Sequence, residues 1–151
     1  MEEEDKKKIL ELVKGVKNDD IKNIRGWWNA IEFYSKNAGN KTYCYIFEEA
    51  KEIVGFIYFL HKIKKNVVKL YAIANLSGGK VKGLGKKMMK ELFLFLEKEN
   101  CQYLEFDSDE RFSGYKFFTE KMGYKPLSRK DETHMYFKVY LKYEQKQLPS
   151  N

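Results

Sequence analysis

The sequence predicts an α+β domain, a mixed sheet with helices on its faces, and three observations predict it. Strand-type alternation begins at Thr42 and returns around Met135. A turn rich in glycine and lysine, Lys80-Val81-Lys82-Gly83-Leu84-Gly85-Lys86, joins a β-rich run at 67–75 to an amphipathic helix pattern at 84–97. A second helix pattern then stands between two further strand patterns, so strands and helices are interleaved along one chain.

Residues 1–40 read as two helices. Ile9, Leu10, Leu12, Val13 and Val16 form one apolar stripe. Asp19 and Asp20 open a second helix carrying Ile21, Ile24, Trp27, Trp28, Ile31 and Tyr34, and Asn37 to Asn40 close it. From Thr42, Tyr43, Tyr45 and Phe47 alternate with Cys44 and Ile46. A turn at 48–51 sends the chain back as a hairpin strand over 52–60, with Gly55 a candidate bulge. Lys64 to Asn66 turn it into a central strand, 67–74. The next helix carries Leu84, Met88, Leu92 and Phe95 at helical spacing, widened by Met89, Phe93 and Leu96, and these side chains read as core. A strand at 102–107, a helix at 115–122, a short strand near 124–127 and a last strand carrying Met135, Phe137, Val139 and Leu141 complete the pattern.

A chain of 151 residues with 43% hydrophobic and 16% aromatic content suits one core and one domain, 1–151, with 1–40 as its helical part. The charged start has no apolar segment behind it that suits a signal peptide, and the apolar run at 53–60 is too short to span a bilayer, so a soluble, cytoplasmic protein without membrane contact is expected. Cys44, Cys101, His61 and His134 do not cluster in sequence, so no metal site is expected and both cysteines read as reduced packing residues. The net charge of +7 leaves a nucleic-acid partner open. Against it, Arg25, Arg111 and Arg129 are the whole arginine complement of 29 basic residues, which reads as compositional bias toward lysine.

A helix N-terminus presents unpaired N–H groups and the positive end of a dipole, so the turn at 80–86 points to a phosphorylated cofactor. The nucleoside-triphosphate loop is excluded: five residues separate Gly79 from Gly85, and Lys87 stands where Ser or Thr should hold magnesium. The dinucleotide fingerprint fails because Met88 replaces its third glycine. What the turn resembles is the acetyl-CoA motif of the GNAT superfamily of N-acetyltransferases, Arg/Gln-x-x-Gly-x-Gly/Ala, with Lys80, Gly83 and Gly85 at its positions. The resemblance runs from about Thr42 to Tyr143. Phe117-Phe118-Thr119-Glu120-Lys121-Met122-Gly123-Tyr124 is similar to the family's Phe-Tyr-x-Lys-x-Gly-Phe ending. Thr119 stands at the family's Tyr, Phe112 at its Asn and Lys69 at its central-strand Glu, and the loop between Ile73 and Lys80 is slightly long.

The resemblance implies a mostly antiparallel mixed sheet with one splayed parallel strand pair, helices on both faces, and acyl transfer from acetyl-CoA to an amine. Backbone groups around Val81, Lys82, Gly83, Leu84, Gly85 and Lys86 would then hold the pyrophosphate, with Lys80, Lys82 and Lys86 adding charge. Ile73 and Ala74 would pair with the pantetheine amides. Tyr115, one helical turn before Thr119, is a substitute proton donor and otherwise a packing aromatic. Thr119 could hydrogen-bond the sulfur, and Asp107 and Glu105 are candidate bases. The acceptor stays open between a small amine, a peptide or protein amine and an amine linked to nucleic acid such as an aminoacyl-tRNA. A catalytically degraded cofactor-binding module is the reading from another class, and the assembly is a monomer or homodimer.

Overall fold

Six strands form one sheet in the order β1-β2-β3-β4-β6-β5: β1 Lys41–Glu49, β2 Glu52–Lys62, β3 Val67–Asn75, β4 Tyr103–Asp109, β5 Ser128–Arg129 and β6 His134–Tyr140. This computed structural model describes residues 39–141 together with Glu4, Lys7 and Glu11, so the two helices expected ahead of the sheet lie outside the described residues. Every strand pair is antiparallel except β3 with β4. That exception follows from the crossover through α1, Leu84–Lys98, because a connection carrying a helix can return the chain in the same direction.

β2 is the strand buried on both faces. Phe56, Ile57, Tyr58 and Phe59 are all at most 1% exposed, which is why the run 53–60 is continuously apolar and does not alternate. Ile57 and Phe59 join Val68, Leu70, Leu104, Phe106 and Phe137 beneath α1, while Phe56 and Tyr58 pack with Leu60 and Ala72 in a second cluster. A 15-residue helix is marginal in water, so α1 owes its stability to its buried face. Leu84, Met88, Met89, Leu92, Phe93, Phe95 and Leu96 all lie there, as their spacing predicts, each worth about 1.5–3 kcal/mol when fully buried. Its C-terminus is clamped from outside the helix. Asn66, in the turn before β3, donates its side-chain amide to the carbonyls of Glu99 at 3.2 Å and Asn100 at 2.9 Å. His61 Nε2 meets Asn66 Oδ1 at 2.9 Å, so this histidine orients a cap.

The bulge expected at Gly55 is present: Phe47 pairs with Gly55 and Glu48 with Ile53, so Val54 is the extra residue beside it, and a Cβ at Gly55 would also stand 2.7 Å from the carbonyl oxygen of Ala74. Two expected details are corrected. The helix expected at 115–122 begins earlier as α2, Ser113–Lys116, and runs into a wider π turn, Phe117–Lys121, where the Met122 N–H reaches back to the Phe117 carbonyl at 3.0 Å. The strand expected near 124–127 is displaced to β5. Tyr124 N–H is committed to the Phe118 carbonyl at 2.9 Å and Pro126 has no N–H, so pairing with β6 resumes only at Leu127, whose N–H bonds the Tyr136 carbonyl at 2.8 Å.

A cleft between diverging strands as candidate active site

β3 and β4 part after two residue pairs, Val68 with Leu104 and Lys69 with Glu105, although β3 continues to Asn75 and β4 to Asp109. Beyond that point the β4-facing edge of β3 has no strand partner among the described residues, and its N–H and C=O groups form a template for an extended ligand. A second register shift falls between Tyr58 and Phe59, leaving Tyr71 as the extra residue on β3 where the strands begin to splay.

The chain leaves β3 through a loop stapled to itself. Asn75 Oδ1 accepts from the Ser77 N–H at 3.0 Å and the Ser77 hydroxyl at 2.6 Å, while its amide donates to the Val81 carbonyl at 3.0 Å. Ser77 Oγ accepts the Val81 N–H at 3.0 Å, and the Lys80 N–H reaches the Ser77 carbonyl at 3.4 Å. Val81 therefore contributes no free N–H to a ligand, which narrows the expected set of backbone donors.

The donors that remain start one turn later. The first bond of α1 runs from the Lys87 N–H to the Gly83 carbonyl at 3.2 Å, so the N–H groups of Gly83, Leu84, Gly85 and Lys86 have no partner within the helix. Gly83, the N-cap, sits at φ 71° in the left-handed region, and a Cβ at this position would meet nothing within 4 Å. Gly85 is small for a different reason: its Cβ would come within 2.7 Å of the Phe117 ring, so the motif's second glycine lets the π turn close against α1. No acidic residue lies in the first turn of α1 to oppose an anion.

These elements enclose a cleft of about 620 Å³. Of the residues expected to bind cofactor, Ile73, Ala74, Val81, Lys82, Gly83, Leu84, Gly85 and Lys86 line it, whereas Lys80 is exposed outside the lining. The far wall, Ser113, Gly114, Phe117 and Lys121, was not foreseen. Lys121 stands at the motif's Lys, and that position was the available signal.

The expected catalytic residues do not converge on this cleft. Tyr115 packs edge-on against Phe137 with ring centroids 5.8 Å apart, and Thr119 donates its hydroxyl to the Tyr115 carbonyl at 3.0 Å; neither lines the cleft. Asp107 lies two residues past the last β3–β4 pair and accepts from Lys130 Nζ at 2.6 Å. It lines a separate concavity of about 340 Å³ with Lys69, Glu105, Phe106, Ser128, Lys130 and Tyr136. There Glu105 accepts from Lys62 at 2.6 Å and from the Tyr136 hydroxyl at 2.8 Å. Burial pushes the Glu105 carboxyl up, but those two hydrogen bonds and the charges of Lys62 and Lys69 outweigh it and hold the group below its usual range. Tyr136 is pushed well above a normal phenol by burial and by that carboxylate.

Cys44 is half-buried on β1. Cys101 is buried, its thiol raised to about 11 by burial and then by Glu99, so it is inert. Among the described residues no group of three or more His, Cys, Asp or Glu could hold a metal ion, and no helix is long and apolar enough to cross a membrane.

The family model of the acetyltransferase (GNAT) family matches residues 12–124. No curated protein matches the sequence. The fold is shared with solved structures of low identity. An acetyltransferase of the GNAT family from Staphylococcus aureus Mu50 superposes with a TM-score of 0.66 at 16% identity, covering 93% of this chain and 96% of its own. For an acetyltransferase from Streptococcus agalactiae 2603 the values are 0.66 and 19%, with 89% and 90% covered. An N-acetyltransferase from S. aureus Mu50 gives 0.65 and 13%, with 93% and 95% covered.

Proposed function

We propose, since this chain belongs to the acetyltransferase (GNAT) family, that it transfers an acetyl group from acetyl-CoA to an amine held between β3 and β4. The observation that carries this reading is the continuity of one cleft. It joins the four N–H groups at the start of α1 that lack a helical partner to the edge of β3 that no described strand covers, the two surfaces that a diphosphate and an amide-bearing arm require.

The residues fit such a ligand. Lys82, Lys86 and Lys121 surround the helix N-terminus with positive charge, and Gly83 leaves room for close approach of a phosphate. Ile73 and Ala74 on the open edge of β3 offer backbone groups that orient an extended arm toward the splay. Acetyl-CoA, when bound, supplies a thioester carbonyl open to attack by an amine. An N–H of the β3 edge near Ile73 is the donor for that carbonyl oxygen, and holding both reactants in one narrow gap supplies much of the rate.

An amine arrives as an ammonium ion and must lose a proton. Asp107 is the proton acceptor in this reading, because it stands past the last strand pair, where the gap opens. Glu105 is committed elsewhere: Lys62 and Tyr136 bond both of its oxygens, stabilise its charged form and lower its affinity for a proton. Thr119 already donates its proton to the backbone, and Tyr115 packs on Phe137. A thiolate leaves without a strong acid, so neither is required.

Calorimetric titration with CoA and acetyl-CoA tests the binding half. Thiol release against small amines, peptides and an aminoacyl-tRNA, with an acceptor mass gain of about 42 daltons, the acetyl group added at the nucleophile, tests the transfer half. CoA binding without transfer to any acceptor favours a module that binds without turnover. Failure to bind CoA overturns the cleft as its site.

A further inference from the structure

We infer that the concavity beyond the splay selects acceptors that carry an anionic group, carboxylate or phosphate, beside their amine, and that Lys69 selects them. This rests on the transferase reading above.

The direct ion pairs around the concavity do not include Lys69. Glu105 uses one oxygen on Lys62 and the other on Tyr136, and Asp107 is bonded by Lys130. Lys62, Lys69, Lys130 and Lys138 thus face two carboxylates; Lys138, opposite Glu105 on β6, sits 4.1 Å from the centroid of the Tyr103 ring, and Lys69, whose charge also acts on Glu105, makes no ion pair of its own among the described residues. Its Nζ lies 5.2 Å from the centroid of the Tyr71 ring, which leans the side chain along β3 toward the gap. Tyr71 remains a neutral phenol, its ionisation opposed by burial and then by Glu105 and Asp107, so it adds no competing charge.

Lys69 also lies at the right place along the strand. It belongs to the last β3–β4 pair, and Ile73 is four residues further on, about 13 Å at the rise of an extended strand. An acceptor with its nitrogen near Asp107 and its anion on Lys69 meets opposite charges at both ends. A plain amine meets only one of them. In a half-buried concavity walled by Phe106 and Tyr136, a single matched charge counts for more than it does in open water.

Matched pairs test this: phenylalanine against phenylalaninamide, and phosphoethanolamine against ethanolamine. Each is titrated by ligand-observed NMR into the CoA-loaded protein, and each is also assayed for KM and kcat. The expected result is at least tenfold tighter binding, with correspondingly lower KM, for one or both anionic members. The pair with the larger preference tells carboxylate from phosphate. Lys69→Met should abolish the preference by weakening the anionic member alone, and Lys69→Arg should restore it. Equal binding within each pair, or equal weakening of both members by Lys69→Met, overturns the inference. An intact preference with no acetyl transfer keeps this inference and overturns the transferase reading. Transfer to the neutral members without a preference does the reverse.

Discussion

The two hollows on either side of the β3–β4 splay are built on different principles. The larger cleft is made from backbone and small residues, largely within the continuous stretch 73–88, and its chemistry is the unpaired N–H groups of one helix end. The smaller concavity is made from charged and hydroxyl side chains on β3, β4, β5 and β6 and the turn after β5. The first can tolerate a change of side chain that keeps glycine-like backbone freedom. The second depends on each partner, because a half-buried carboxylate and its donors stabilise one another. The difference teaches that the two hollows, the cofactor and acceptor sites of the proposed reaction, should fail independently.

The largest effect should come from the side-chain-built hollow. Glu105→Ala leaves Lys62 and Tyr136 without their acceptor and should lower stability by about 1–3 kcal/mol, read by denaturant unfolding, while CoA affinity stays unchanged. Because the folded protein holds this carboxyl below its usual range, its contribution is fully present above the ordinary glutamate range. It is lost as pH falls through the depressed value. Wild-type stability should therefore drop more steeply than that of Glu105→Gln as pH is lowered below about 4. Identical acid limbs would show that the network does not stabilise the fold.

The backbone-built cleft should respond in the opposite way. Gly83→Asp places its Cβ in open space, and Asp tolerates the left-handed region and suits an N-cap, so the fold should persist. The new charge opposes a diphosphate, and CoA affinity should fall at least tenfold, about 1.4 kcal/mol, with acceptor binding unaffected. Unchanged calorimetric affinity in the folded variant would detach the cofactor from this helix end.

A smaller effect should follow from the loop staple. Ser77→Ala removes the acceptor of the Val81 N–H and one bond to Asn75, which should cost about 1 kcal/mol or less at an exposed loop and weaken CoA severalfold. Full retention of CoA affinity would show that the loop holds its shape without the staple. The smallest effect is expected at Tyr115. Tyr115→Phe keeps the ring packed on Phe137, so kcat should stay within about twofold, under half of the 1.4 kcal/mol that a tenfold change represents. A large fall in kcat at constant CoA affinity would make its hydroxyl a proton donor and tie the two hollows together.

Much of the larger cleft could be read directly. The glycine turn, its lysines and the start of α1 at Leu84 are local features, governed by helix-end hydrogen bonding and by backbone freedom at Gly83. Its far wall was hidden, because Ser113, Gly114 and Phe117 approach only when α2 and the π turn dock against Gly85. The commitment of the Val81 N–H to Ser77 was hidden too. A serine hydroxyl in a loop reveals nothing of its partner until the loop closes.

What the sequence determined by itself is the set of elements and their buried faces: the apolar run of β2, the stripe of α1 and the alternation of β6 each follow from the periodicity of their own residues. It also determined the phosphate-suited helix end, since one short segment supplies all of it. Only the tertiary structure decided where β3 and β4 part, that Glu105 meets Lys62 and Tyr136, that Asp107 is held by Lys130, and that Lys69 makes no direct ion pair among the described residues. Those outcomes depend on register between strands far apart in the chain. A shift of one residue would have turned each of these side chains to the other face of the sheet.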